Sequence, residues 1–491
     1  MRAWRLCVKI SAALMVLGIC GTALAHGGNP IPRKFYQDPL NQDVQVVVSS
    51  DQGLHLSEDG GDTWYWICED IIGFDVLDFA LAGPVTDNPA DRVWLAGGLG
   101  LAEGERAGEF VPGLYRSTDG GCNWQPTQGA MTDQWASAIS VNPQAPDEVV
   151  VTTTHLNLPN GIAFSEDAGL NWSWTNVEGL EDTSFTTLLR ATSDPQRLYA
   201  SSDRYLLRST DGGRTWENIV EDLSEDPSDE MRVHAIDYED AQTFYFSILT
   251  VLGRHLYVSE DGGNTYRKIL EPPSREFEAL VILPAEEPGQ RRLVVGDTFG
   301  TGLRSEDGGE TWQEYLAGVP SIECLASVQG QQEDLFVCSN PSVQLFPPII
   351  TIGRSSDDGR TVDPYFAYSD TDDYRICGAD SQVQTVCATL MDINNSPNNS
   401  PSICVPPCED GFECFNGFCR PTDTPDAGMD AADEDAADQD SGQTTTTPKN
   451  KGGCDCSVGS PQGASAPWWV MLALTACLLR RRKQTLHTKE R

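Results

Sequence analysis

The sequence predicts an all-β protein, a seven-bladed β-propeller followed by a small disulfide-rich C-terminal module. Three observations carry this reading. A nine-residue motif recurs seven times between residues 56 and 362, and its serines are separated by 60, 48, 44, 50, 46 and 50 residues. That period is the length of one four-stranded propeller blade. Between Pro30 and Asp370 the chain is a series of short β-rich runs broken by turn residues, with no amphipathic helical pattern. Beyond it come cysteine-dense and acidic stretches with little apolar content.

The 491-residue chain opens with Arg2, Arg5 and Lys9, then an apolar run from Ile10 to Ile19, then Ala23 to Ala25. A basic start, an apolar centre and a small-residue site are the parts of a secretory signal peptide, so residues 1–25 are expected to be removed on export. Cys20 raises a lipoprotein signal as the rival, which the bulky Ile19 before it disfavours.

The propeller is assigned to residues 30–370. The motif copies are LSEDGGDTW (Asp59, Trp64), RSTDGGCNW (Asp119, Trp124), FSEDAGLNW (Asp167, Trp172), RSTDGGRTW (Asp211, Trp216), VSEDGGNTY (Asp261, Tyr266) and RSEDGGETW (Asp307, Trp312). A decayed seventh, RSSDDGRTV, carries Asp357, with either Ser355 or Ser356 as its serine. Short apolar runs such as GLYR, YLLR and HLYV precede the motifs, and β-rich runs such as EVVVTT and RLVVGD lie about 15 to 20 residues upstream. The runs FDVLDFALA, SAISV, TTLLRA, EALVILP and IECLAS are read as the outermost strands. The motif suits a tight turn: Asp accepts from nearby backbone N–H groups, glycines supply positive φ, Ser and Thr satisfy further backbone groups, and Trp adds apolar bulk between sheets. Seven separated turns with one carboxylate apiece do not converge on a metal, so no metal and no cofactor are expected.

This S-x-D-x-G-x-T-W pattern resembles the Asp-box, or BNR, repeat of sialidases, sortilin luminal domains, xyloglucan-cleaving glucanases and photosystem II assembly factors. The resemblance covers about 340 residues and implies that each box forms the turn between the third and fourth strands, on the face opposite the usual binding surface. The loops between second and third strands would then rim the functional face. They supply the candidate contacts: His155 and Asn157, Asp203 and Arg204, Arg254 and Asp297, beside Asp51 and the longer stretches 98–112 and 340–350. Sialidases, by resemblance, need three arginines, a Tyr–Glu pair and an acidic residue, with an R-I-P motif near the start. Here NPIPRKF has the residues in another order, and Arg92, Arg190, Arg204 and Arg254 follow no such pattern. A two-carboxylate hydrolase remains the alternative. The favoured expectation is a non-catalytic binding or adhesion module for an extracellular protein or glycan, with a monomeric ectodomain.

Cysteines Cys68, Cys122, Cys324, Cys338, Cys377, Cys387, Cys404, Cys408, Cys414 and Cys419 are an even set in an exported chain and read as disulfide candidates of open connectivity. Residues 371–420 are grouped as a cysteine-rich module whose last four cysteines form a compact knot; zinc there is disfavoured by the lack of histidine. Residues 421–453 have almost no large apolar side chain and form an acidic tether. The net charge of −40 disfavours nucleic acid as a partner. Residues 454–483 combine Cys454 and Cys456, an apolar segment at about 464–479 and an arginine cluster. This order resembles the MYXO-CTERM sorting tail of myxobacterial surface proteins, which implies membrane attachment and display at the cell surface of a myxobacterium-like Gram-negative bacterium. The apolar segment is short beside the roughly 20 residues that span a bilayer.

Overall fold

The computed structural model describes residues 30–388 except 51, 74, 87, 100–111, 176, 178–179, 181–182, 222–229, 251–252, 272–276, 284–289, 301, 317–318, 328–333, 345–348 and 358, together with strands at 412–415 and 418–421. Within 30–388 the chain forms seven antiparallel four-stranded sheets, each a meander of four consecutive strands. Blade 1 runs Pro32–Asp38, Asn41–Ser49, Gly53–Ser57 and Tyr65–Ile67, and blade 2 runs Val76–Ala82, Val93–Gly98, Leu114–Ser117 and Gln125–Pro126. Blades 3 to 7 begin with Ala136–Asn142, Phe185–Arg190, Glu230–Ile236, Ala279–Leu283 and Cys324–Ser327.

The first strands touch one another in sequence around a closed ring, and the first strand of blade 7 packs on that of blade 1. They therefore surround the central axis. This corrects the sequence reading of FDVLDFALA, SAISV, TTLLRA, EALVILP and IECLAS as outermost strands: they are the innermost. The physical reason lies in the ring: the first strands pack on one another around the axis and several are only partly buried, as in Phe185–Arg190 and Cys324–Ser327, whereas the second strands, such as Leu198–Ser202 and Arg292–Gly296, are buried throughout. The fourth strands at the periphery are two to five residues long and carry exposed polar groups such as those of Gln313–Tyr315.

Apolar residues from neighbouring sheets interdigitate between blades. Val46, Val48 and Leu56 of blade 1 share a cluster with Phe79, Leu81 and Trp94 of blade 2. The ring closes through Phe35, Val47 and Trp64 of blade 1 against Phe336, Ile352 and Phe366 of blade 7, with the Phe35 and Phe336 rings 4.4 Å apart and stacked. Each such buried side chain contributes on the order of 1.5–3 kcal/mol.

The seven motifs all form the same turn between third and fourth strands. In every copy Ser Oγ donates to Asp Oδ1, and the N–H four residues after the Asp donates to the same oxygen. The Thr or Asn side chain at that position donates to Oδ2. The decayed seventh copy keeps the full pattern, with Ser355 as its serine. The second glycine explains how turns become fasteners. Gly213 has φ +100°, and a Cβ there would lie 2.5 Å from Val150 of the preceding blade. At Gly61 it would lie 2.2 Å from Tyr365 Oη, so blade 1 docks on blade 7 as the others dock on their predecessors. The five box tryptophans donate Nε1–H to that glycine's carbonyl. Tyr266, with no indole, stays largely exposed.

Because every blade is built from four consecutive strands, no strand is shared between the chain's two ends. The chain after blade 7 supplies a clasp instead. Asp373–Tyr374 pairs in parallel with Tyr65–Ile67 as a fifth strand on blade 1, and Asp372 Oδ2 accepts the Trp64 N–H at 3.0 Å. Arg375 reaches Glu58 at 2.9 Å and lies 5.0 Å over the Trp94 ring. A helical turn at Val383–Cys387 follows, where Gln382 accepts the Trp124 N–H and donates its own N–H to Asn123. Two disulfides lock the clasp, Cys68–Cys387 to blade 1 and Cys122–Cys377 to blade 2. Cys377 and Cys387, grouped by sequence with the C-terminal module, thus belong to the propeller. Cys324–Cys338 bridges the first two strands of blade 7. In the hairpin Phe412–Phe415 and Phe418–Pro421, Cys414 stands opposite Cys419. Cys404, Cys408, Cys454, Cys456, the signal segment, the acidic tether and the apolar segment at 464–479 lie outside the described residues. Among the described residues no helix is long and apolar enough to cross a membrane.

Candidate functional site

A four-stranded meander places the starts of all first strands and the turns between second and third strands on one face of the disc, and the boxes on the other. The six sequence candidates belong to that first face but divide into two kinds. His155 is buried: its Nδ1 accepts the N–H groups of Asn157 and Leu158, both at 2.9 Å, and its ring centroid lies 4.4 Å from that of Trp135. Accepting at Nδ1 places the proton on Nε2 in the neutral ring, and burial holds the imidazole below its ordinary pKa. Asn157 contributes its backbone to that turn and exposes its side chain. Arg254 is buried and donates from Nη1 to Ser247 Oγ at 3.1 Å, while Ser247 meets His234 Nε2 at 2.7 Å. Asp297 is also buried, accepts the Phe299 N–H at 2.9 Å and ties blade 6 to blade 7 through the Ile322 N–H. These three organise loops and wall; Asn157, Asp203 and Arg204 face solvent. Asp51, most of 98–112 and residues 345–348 lie outside the described residues.

The structure adds residues that the loop reading missed. At the starts of the first strands, Asp75, Arg33, Glu323, Glu278, Arg232 and Glu230 succeed one another around the axis, and Asp203 continues the series from blade 4. Arg33 lies 3.9 Å from Asp75. Arg232 is gripped by Glu278 at 2.8 Å and Glu230 at 3.0 Å. Burial pushes the half-buried Glu323 carboxyl above its ordinary range; Arg33 draws it back and Glu278 adds to the rise. The carboxyl of Asp203, exposed at the rim, is raised by partial desolvation and by the charge of Glu230. Five carboxylates and two guanidiniums thus form an acidic mouth at the axis.

No family model matches the chain. A sialidase of Bacteroides fragilis (strain YCH46) is 26% identical over 279 residues, covering 51% of this chain and 48% of the relative, so the chain spans about half that protein's length. The crystal structure of an ancestral GH74 enzyme superposes with a TM-score of 0.52 at 14% identity, covering 69% of this chain and 46% of the other. YCF48 from Cyanidioschyzon merolae covers 63% of this chain and 92% of its own, with a TM-score of 0.42 at 15% identity. The fold is an Asp-box propeller.

In this Asp-box propeller the scattered arginines do not gather into one grip. Arg92 is buried against Asp38 at 2.6 Å, and it and Arg190 line a cavity at the box-face end of the axis. Arg204 stands on blade 4, and Arg254 is buried in blade 5. Both mouth arginines face carboxylates. What the mouth offers a ligand is therefore chiefly hydrogen-bond acceptors, with the Glu323 carboxyl raised above its ordinary range by burial. Among the described residues no group of three or more His, Cys, Asp or Glu is arranged to hold a metal ion.

Proposed function

We propose that this protein is an exported binding propeller, displayed at the cell surface through its C-terminal tail, which takes a glycan or polypeptide ligand at the acidic mouth. The supporting observation is the charge pattern there. Arg33 and Arg232 are matched by Asp75, Glu230 and Glu278, and the remaining groups are acceptors. Such a surface favours ligands rich in hydroxyl or ammonium donors and disfavours anions. A glycan array and a panel of basic peptides, probed with the full chain and with the Glu278→Gln/Glu323→Gln pair, test this. Selective binding that the pair weakens supports the reading; binding unchanged by the pair overturns it.

One observation favours a second reading, glycoside hydrolysis. Burial raises the Glu323 carboxyl and the charge of Glu278 adds to the rise, the direction in which a general acid must be shifted. Glu323 would protonate the leaving oxygen and Glu278 would activate water or attack the anomeric carbon. Turnover of any fluorogenic glycoside that Glu323→Gln abolishes would replace the binding-only reading.

A further inference from the structure

On the face of the acidic mouth, blades 6 and 7 carry two apolar tips on either side of one carboxyl. The turn after Arg292–Gly296 of blade 6 presents Phe299, 72% exposed, and the turn after Leu335–Cys338 of blade 7 presents Val343, 50% exposed. Each turn is braced from within. Asp297 Oδ1 accepts the Phe299 N–H at 2.9 Å, and the Asp297 carbonyl accepts the Gly300 N–H at 3.1 Å. Asn340 Oδ1 accepts the Ser342 N–H at 2.9 Å, and Gln344 exchanges two hydrogen bonds with the Ile350 backbone, at 2.8 Å and 2.6 Å.

Both turns are tied to the segment that leads into the first strand of blade 7. The Asp297 carbonyl also accepts the Ile322 N–H at 2.9 Å, and the Asn340 N–H donates to Ser321 Oγ at 2.7 Å. Glu323 follows directly, half-buried, with the side chains of Ser321 and Asn340 within hydrogen-bonding reach of its carboxyl. The nearby cation, Arg33, also faces Asp75, so Glu323, Glu278 and Asp75 leave the notch negative. The polar side chains of the two turns are spent on the turns themselves, which leaves few groups to read the hydroxyls of a sugar. Turns already held in shape lose little freedom on binding, and solvent-facing apolar side chains beside unmatched charge mark a contact for a partner that supplies both apolar surface and opposite charge.

We infer that this notch docks a polypeptide segment in which a lysine or arginine stands between apolar residues, the cation at Glu323 and Glu278 and the apolar side chains on Phe299 and Val343. The inference rests on the acidic mouth as the binding surface and narrows its ligand from glycan or polypeptide to a basic, apolar polypeptide.

Fluorescence anisotropy of the full chain at about 0.15 M salt tests this with a short fluorescein-labelled peptide alternating leucine with lysine. A version with serine for leucine and a version with glutamate for lysine accompany it. The leucine–lysine peptide should bind saturably and about tenfold or more tighter than the serine–lysine peptide, and the leucine–glutamate peptide should not bind. Phe299→Ser with Val343→Ser should bring the leucine–lysine peptide down to the affinity of the serine–lysine peptide, whose own binding stays unchanged. Leu156→Ser, an exposed apolar tip on the blade 3 turn of the same face, should alter neither. Equal affinity for the two lysine peptides would overturn the notch and leave the acidic mouth standing, as would an effect of Leu156→Ser equal to that of the pair. Binding of the leucine–glutamate peptide as tight as that of the leucine–lysine peptide would overturn both. The peptide comparison uses the native chain, so it decides the matter even where a variant does not fold.

Discussion

Removing the clasp disulfides should reveal an arithmetic set by chain topology. Cys68–Cys387 and Cys122–Cys377 span 319 and 255 residues and are nested. With both present, the outer bond closes a small ring of about 64 residues, made of the 54 from Cys68 to Cys122 and the 10 from Cys377 to Cys387. In the chain-entropy treatment such a ring contributes about 4 kcal/mol at 25 °C, and a single bond spanning 255–319 residues contributes about 5.5–6 kcal/mol. Cys68→Ala/Cys387→Ala and Cys122→Ala/Cys377→Ala should therefore cost nearly the same, about 4 kcal/mol each, because each dissolves the same small ring. Removing all four cysteines should cost about 10 kcal/mol, more than the sum of the two. Urea unfolding followed by tryptophan fluorescence measures all three. The reasoning fails if the two pairs differ widely, or if the quadruple variant unfolds at the midpoint of either pair.

Three further outcomes follow from the same structure. Asp211→Ala removes an acceptor of four hydrogen bonds, from Ser209, Arg214 and twice from Thr215; it should lower stability by about 1–3 kcal/mol and leave ligand binding at the mouth intact, and a folded variant that lost binding would contradict this. The seven box carboxylates are depressed by hydrogen bonding, Asp307 to about 2 through Thr311. A depressed carboxylate stabilises fully above its unfolded pKa of about 3.9 and loses that contribution as pH falls through its folded value, so the thermal midpoint should fall steeply from pH 4 to about pH 2, and a flat profile there would refute the assignment. Glu323 has the opposite sign: its raised pKa makes the folded state lose stability as pH rises from about 4.3. Glu323→Gln should accordingly unfold at a higher temperature than the native chain at pH 8 and at the same temperature at pH 4.

The scaffold was legible because its signal is local and repeated. Ser209, Asp211, Gly213 and Trp216 satisfy one another within a single turn, so the Ser, Asp and Gly spacing survives in the sequence seven times and the Trp five times. Radial order was not legible in the same way. The apolar runs of the first strands mark burial, but burial alone does not say which edge of a sheet faces the axis. The loop candidates were chosen by position in the meander, which places them together on the face of the second-to-third strand turns but could not tell Arg254, turned inward onto Ser247, from Arg204, exposed on the same face. The mouth escaped notice because Arg33, Glu230, Glu278 and Glu323 are far apart in sequence and sit at strand starts. A signal did exist: EMRVHAI, FEALVIL and IECLAS each place an acidic residue just before an apolar inner strand. The connectivity of Cys68 and Cys122 with cysteines more than 250 residues away is set by ring closure, which no local pattern records.

The clasp also fixes how tension would travel. Force applied to the chain beyond Cys387 reaches the ring through the sulfurs of Cys387 and Cys68, entering the backbone beside the fourth strand of blade 1. The segment from blade 7 to Cys377 lies between two anchored points and carries little of the load. A propeller held only by its last strand would peel open one hydrogen bond at a time, starting at blade 7. Here the load path bypasses that seam, so the Cys68–Cys387 bond must break or the strands beside Cys68 must unfold before the blade 7 seam bears the load.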